Sequence, residues 1–144
     1  MIKIICVGKI KESFYRDAIL EYLKRLSKYH KVEIVEVMDS NMKQEIVLIL
    51  KKIDSKDYIV TLEIEGKHVS SLEFADMIDK TLMNYGNITF IIGGSDGLDE
   101  EIKKLSNYKL SFSKMTFPHQ MFRVVLLEQI YRGFKIIHNE SYHK

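Results

Sequence analysis

The chain has 144 residues, 46% hydrophobic and 29% charged, which suits one folded domain over residues 1–144 and argues against intrinsic disorder. Its one cysteine, Cys6, excludes an internal disulfide and disfavours a cysteine-based metal site, so no metal is expected. The net charge of +2 is uneven: residues 1–102 sum to −4, while residues 103–144 carry 8 Lys/Arg against 2 Asp/Glu and suit either a polyanionic partner or a surface kept soluble by charge.

Ile2 to Val7 is β-rich, ends at Gly8 and reads as a buried strand. It lacks a signal peptide's cleavage pattern, so a cytoplasmic location is the expectation. Phe14, Ala18, Tyr22 and Leu26 recur at i+4 and predict an amphipathic helix. Val32 to Val37 is a second strand. Ile46 to Ile53 is a short helical stretch flanked by lysines, and its aliphatic run is far too short to span a bilayer. Tyr58 to Ile64 is a third strand closed by Gly66. Leu72 to Met83 is a helix with Ser70 or Ser71 as its N-cap. Ile88 to Ile92 is a fourth strand, followed by a short helix from Asp99 and a fifth strand from Asn107 to Phe112. The last helix runs from Pro118 to about His138. Strands alternating with helices predict an α/β fold with a mostly parallel sheet flanked by helices. The last helix is apolar around much of its circumference, and one of its two faces calls for a partner, expected to be a second copy of the chain unless loops and the neighbouring helix cover it.

Three segments carry candidate chemistry. Gly93-Gly94-Ser95-Asp96-Gly97 follows a strand and precedes a helix, where open backbone amides receive ligands. Its GGxxG pattern and its place after the fourth strand disfavour a dinucleotide fingerprint, and a tight turn is the plainer alternative. Leu110 to Arg123 is an apolar connection punctuated by hydroxyls, Lys114, His119 and Arg123; it is either buried or wrapped around an apolar ligand. Ser141-Tyr142-His143-Lys144 combines an aromatic ring, an imidazole and a cation, which suits an RNA base and its phosphate unless the terminus is frayed.

Val7 to Glu12, Thr61 to Lys67, Ile91 to Gly97, Leu110 to Arg123 and Tyr142-His143-Lys144 together resemble the RlmH family. These are large-subunit ribosomal RNA pseudouridine methyltransferases of the SPOUT class. The likeness runs from end to end, and Ser113 to Met121 is its most specific part. The main departure is a shorter connection at Asp39 to Glu45. The resemblance implies a C-terminal trefoil knot and a homodimer. It implies S-adenosylmethionine held by Leu62, Gly93, Phe112, Ser113, Lys114, Met115, Thr116 and Phe117. It further implies methylation of ring nitrogen 3 of a pseudouridine in 23S rRNA, within the ribosome. His143 is the candidate base, with Arg123, Arg132, Tyr142 and Lys144 on the substrate. A SPOUT enzyme acting on another nucleotide, such as one in tRNA, and a non-catalytic ribosome-binding module are the alternatives.

Overall fold

The aliphatic, β-branched runs do form strands. The computed structural model describes residues 1–94 and 96–144, so Ser95 of the glycine turn lies outside the described residues. The elements in chain order are β1 (Ile2–Val7), α1 (Ser13–Leu26), β2 (Val32–Val37), α2 (Met42–Lys52), β3 (Asp57–His68), α3 (Ser71–Asn84), β4 (Asn87–Ile92), α4 (Glu100–Lys103), β5 (Tyr108–Ser111) and α5 (His119–Ile137). The strands form one sheet in the order β2-β1-β4-β3-β5, and every pairing is parallel.

Alternation along each strand divides the core. Ile2, Ile4 and Cys6 of β1 join Ile88, Phe90 and Ile92 of β4 under α1, α3 and α5. Ile5 and Val7, with Ile91, face Ile49 of α2 and Ile102 of α4 on the other side. The result is three layers, as expected of a parallel sheet covered on both faces.

Several boundaries differ from expectation for identifiable reasons. β3 does not close at Gly66. Both Leu62 and Lys67 pair with Leu110, so Glu63–Gly66 bulge out and the strand then rejoins β5. A β-carbon at Gly66 would lie 2.8 Å from the backbone of Lys109 and Leu110, so only glycine permits that approach. α2 starts earlier than its apolar periodicity, because Asn41 caps it by accepting from Gln44 N at 2.9 Å. In α3, Ser70 and Glu73 close a capping box. Phe14, expected on the buried stripe of α1, is 63% exposed, while Ile19 and Leu26 carry the burial.

α5 packs between α1 and α3 on one face of the sheet, so its own chain covers much of the surface that seemed to call for a partner. Gly133 faces α3, where an added β-carbon would sit in ordinary contact with Ala75 and Ile78. Its circumference alone therefore does not require a second subunit.

Candidate functional site

In a parallel α/β sheet, ligands bind where the strands end and the backbone is open. A cavity of about 550 Å³ lies there, at the carboxyl ends of β3, β4 and β5 beside the first turn of α5. Of the residues expected around a cofactor, Leu62, Gly93, Phe112, Ser113, Met115, Thr116 and Phe117 line it. Lys114, exposed on the same loop, is not among the lining residues.

The glycine turn forms one wall. Gly97 N donates to Gly94 O at 3.0 Å, and Gly97 has a left-handed φ of 78°. A β-carbon on Gly93 would lie 2.5 Å from the carbonyl carbon and oxygen of Gly97. Glycine at 93 is thus required by the chain's own turn, and a valine there would break the turn before it reached any ligand.

The loop after β5 forms the opposite wall. Ser111 Oγ donates to Ser113 O at 3.2 Å, and Met115 N donates to Ser113 Oγ at 3.0 Å. Phe112 stacks on Phe122 of α5 at 5.1 Å and meets Phe74 edge-on at 6.1 Å. These aromatic pairs fasten the root of the loop to α3 and α5. Its tip is open: Met115 is 75% exposed and Phe117 37%. Apolar side chains held out beside a cavity are available to a ligand or partner.

Three titratable groups in the wall, Glu63, Asp96 and His119, were not among the expected site residues. Glu63 accepts from Thr61 Oγ1 at 2.6 Å and lies 3.5 Å from Lys109 Nζ. His119 opens α5 and also lines the cavity. The bulge that turns Glu63 inward depends on β5, which is distant in sequence, so spacing alone gave no signal. His119 stood in the singled-out Leu110 to Arg123 stretch.

Arg123 must be reassigned. Expected on substrate phosphate, it is 1% exposed, and both of its Nη atoms bond within the chain, while its buried Nε has no partner among the described residues. Its Nη2 donates to Val7 O at 3.0 Å and Gly8 O at 2.8 Å, and its Nη1 pairs with Glu36 at 2.8 Å. A guanidinium so buried and paired holds β1 to α5 and is not free to meet a phosphate.

The tail residues gather elsewhere. Tyr142 packs edge-on against Tyr131 at 5.0 Å, with the Arg132 guanidinium 4.8 Å from its ring centre. Arg132 Nη1 lies 3.2 Å from His143 Nδ1, and Arg132 Nε pairs with Glu128 at 2.7 Å. The bond to Glu128 also raises the Arg132 pKa. An arginine has only donors, so His143 Nδ1 accepts and the ring proton is assigned to Nε2. Glu140 is stapled by Lys135 Nζ at 3.0 Å and by Tyr29 Oη at 2.9 Å, which lowers its pKa. The tail is therefore anchored, not frayed. Phe122 lines the cavity, whereas Arg132 lies ten residues further along α5, about 15 Å down the axis at helical rise. Within one chain, cavity and tail do not meet.

A family model described as predicted SPOUT methyltransferase matches residues 1–143. The ribosomal RNA large subunit methyltransferase H of Clostridium botulinum (strain Kyoto / Type A2) is 50% identical over 157 residues, covering 99% of each chain. That of strain Okra / Type B1 is also 50% identical with the same coverage. Among solved structures, a probable methylase family protein from Haemophilus influenzae Rd KW20 superimposes with a TM-score of 0.60 at 11% identity, covering 99% of this chain and 70% of the other. The SpoU methyltransferase AviRb from Streptomyces viridochromogenes gives a TM-score of 0.52 at 12% identity, covering 98% and 62%. The two structural likenesses speak to the fold alone.

Proposed function

The chain belongs to the SPOUT methyltransferases and, within them, to the family of ribosomal RNA large subunit methyltransferase H, and from that premise we propose that it transfers a methyl group from S-adenosylmethionine to ring nitrogen 3 of a pseudouridine in 23S ribosomal RNA. The same reading takes residues 1–144 as one cytoplasmic domain with a C-terminal trefoil knot, acting as a homodimer on the ribosome.

The observation that carries the reading is the cavity. Leu62, Gly93 and the loop from Phe112 to Phe117 lie far apart in sequence, yet wall one space of about 550 Å³. That volume falls in the range of small-molecule sites. Leu62, Ile92, Leu98 and Phe117 offer apolar surface for an adenine ring, and the glycine turn offers unhindered backbone groups. The residues present therefore fit the cofactor. When bound, it would supply an electrophilic methyl group on a sulfonium.

Nitrogen 3 of a pseudouridine carries a proton and becomes nucleophilic only as that proton leaves. The chain must accept the proton or stabilise the resulting anion. His143 is the proposed base. It has to exchange its bond with Arg132 before Nδ1 can take a proton, and the Nη1 so released could stabilise the anion while Nε stays on Glu128. Tyr142 would stack on a base and Lys144 would hold phosphate. Since cavity and tail lie at different ends of α5, the tail of one subunit would serve the cavity of the other. This gives the homodimer a purpose that the packing of α5 does not. Mass spectrometry of 23S rRNA from cells with and without the protein tests the activity: loss of one methylpseudouridine supports it, and an unchanged rRNA rejects it.

A further inference from the structure

Five hydrogen bonds converge on the four residues that follow β1, the first from Gly8 N to Val37 O at 2.8 Å. Arg123 Nη2 donates to Gly8 O at 2.8 Å, and Arg16 Nη2 donates to Ile10 O at 3.3 Å. Ile10 N donates to Glu36 Oε2 at 3.2 Å, and Lys11 N donates to Gln120 Oε1 at 2.9 Å. The loop is thus tied to α1, β2 and α5. Gly8 is buried and Ile10, half-buried, packs against the core, whereas Lys9 and Lys11 are exposed. Burying a guanidinium is costly even when it is paired. These bonds fix the backbone that carries the two exposed lysines. Among the described residues, neither Lys9 nor Lys11 forms an ion pair within the chain.

The loop also adjoins the cavity. A β-carbon at Gly8 would lie 3.9 Å from Nε2 of His119, which lines the cavity wall. Loop and first turn of α5 form a ridge. On its far side Lys9 and Arg16 border a second depression of about 480 Å³ between α1 and the edge strand β2. A target nucleotide held at the cavity mouth would bring its neighbours' phosphates within reach of this ridge.

We propose that the loop from Gly8 to Lys11 is a preformed phosphate grip, in which Lys9 and Lys11 hold the RNA backbone beside the target nucleotide. This rests on reading the chain as an RNA methyltransferase and adds a binding surface to it. Because folding has already fixed the loop, gripping phosphate costs little further conformational freedom. Such interactions set register and not sequence preference.

The test uses the Lys9→Ala/Lys11→Ala double variant and ribosomes purified from cells lacking the protein. Binding is measured across a range of salt. The slope of log affinity against log salt should shrink by about 2, one for each phosphate that a lysine no longer neutralises. Cofactor affinity by calorimetry and native mass should not change, and the Lys9→Arg/Lys11→Arg variant should keep the wild-type slope. An unchanged slope in the alanine variant overturns the grip. So does a change of native mass, which would place the loop between subunits. A wild-type chain that binds cofactor but no ribosome overturns the parent reading, and the grip with it.

Discussion

Met115 and Phe117 stand exposed at the mouth of the cavity, so they can be truncated without opening the core. The Met115→Ala/Phe117→Ala variant should keep its unfolding midpoint. Its affinity for S-adenosylmethionine should fall tenfold or more, since each apolar side chain buried against a ligand is worth about 1.5 kcal/mol or more. Calorimetry alongside urea unfolding checks both halves; unchanged affinity would move the cofactor away from this loop. At the opposite end of the sheet Asp57 is a buried carboxylate. It accepts from Asp54 N and Thr89 Oγ1 at 2.9 Å and from Asn87 Nδ2 at 3.1 Å, with Lys3 Nζ 3.6 Å away. Burial pushes its pKa up, but these bonds and the lysine together outweigh burial and hold it below the usual carboxylate value. A depressed folded pKa contributes stability above the unfolded pKa of about 4, and that stability is lost as pH falls through the folded value. Asp57→Ala should cost about 3 kcal/mol at neutral pH, because Thr89, Asn87 and the Asp54 amide lose their acceptor and Lys3 its counter-charge. Its stability should also decline less steeply below pH 4 than the wild type's, as urea titrations at several pH values would reveal.

Among the elements, the apolar strands and the capped helix α3 were legible, because burial and capping are written in neighbouring residues. The bulge in β3 was not. Glu63 to Gly66 are mostly polar and look like a strand's end, and only the backbone of β5 shows why the chain continues. Gly66→Ala should push β3 and β5 apart where the β-carbon meets Leu110, destabilising by about 1 to 3 kcal/mol as overpacking does. Because β5 carries the loop from Phe112 to Phe117, cofactor affinity should fall with it; a variant with normal stability and affinity would show that the bulge relaxes freely. The residues of the cavity were readable as motifs, since apolar loop and glycine turn both follow strands. The place of Arg123 was hidden for the opposite reason. Its partner Glu36 is distant in sequence, and a basic residue beside a candidate site reads as a ligand-binding group until its burial is known.

For the whole molecule, half or more of the basic third's cations are paired within the chain. Arg123, Arg132, Lys135 and Lys109 in the basic third are paired with Glu36, Glu128, Glu140 and Glu63. Lys9 and Lys11, in the acidic part of the chain, are left open to solvent. Composition counts charge, whereas folding decides which charges remain to meet a partner. The tail is integral to the structure in the same sense. Deleting Tyr142 to Lys144 removes the ring packed on Tyr131, and should cost about 1 kcal/mol, the scale of a buried aromatic pair. Cofactor affinity should hold while methyl transfer falls by about two orders of magnitude or more, as for loss of a general base. Full single-turnover activity in the truncated chain would return the tail to a purely structural role. The length of α5 that separates cavity from tail also governs how defective chains behave in mixtures. A chain lacking the tail and a chain with the Met115→Ala/Phe117→Ala cavity, each nearly silent at limiting cofactor, should rescue one another when unfolded and refolded together. If the proposed homodimer forms, random pairing would yield mixed dimers with one intact composite centre, restoring about a quarter of wild-type turnover. If each subunit instead used its own tail, the mixture would be no more active than the sum of its parts.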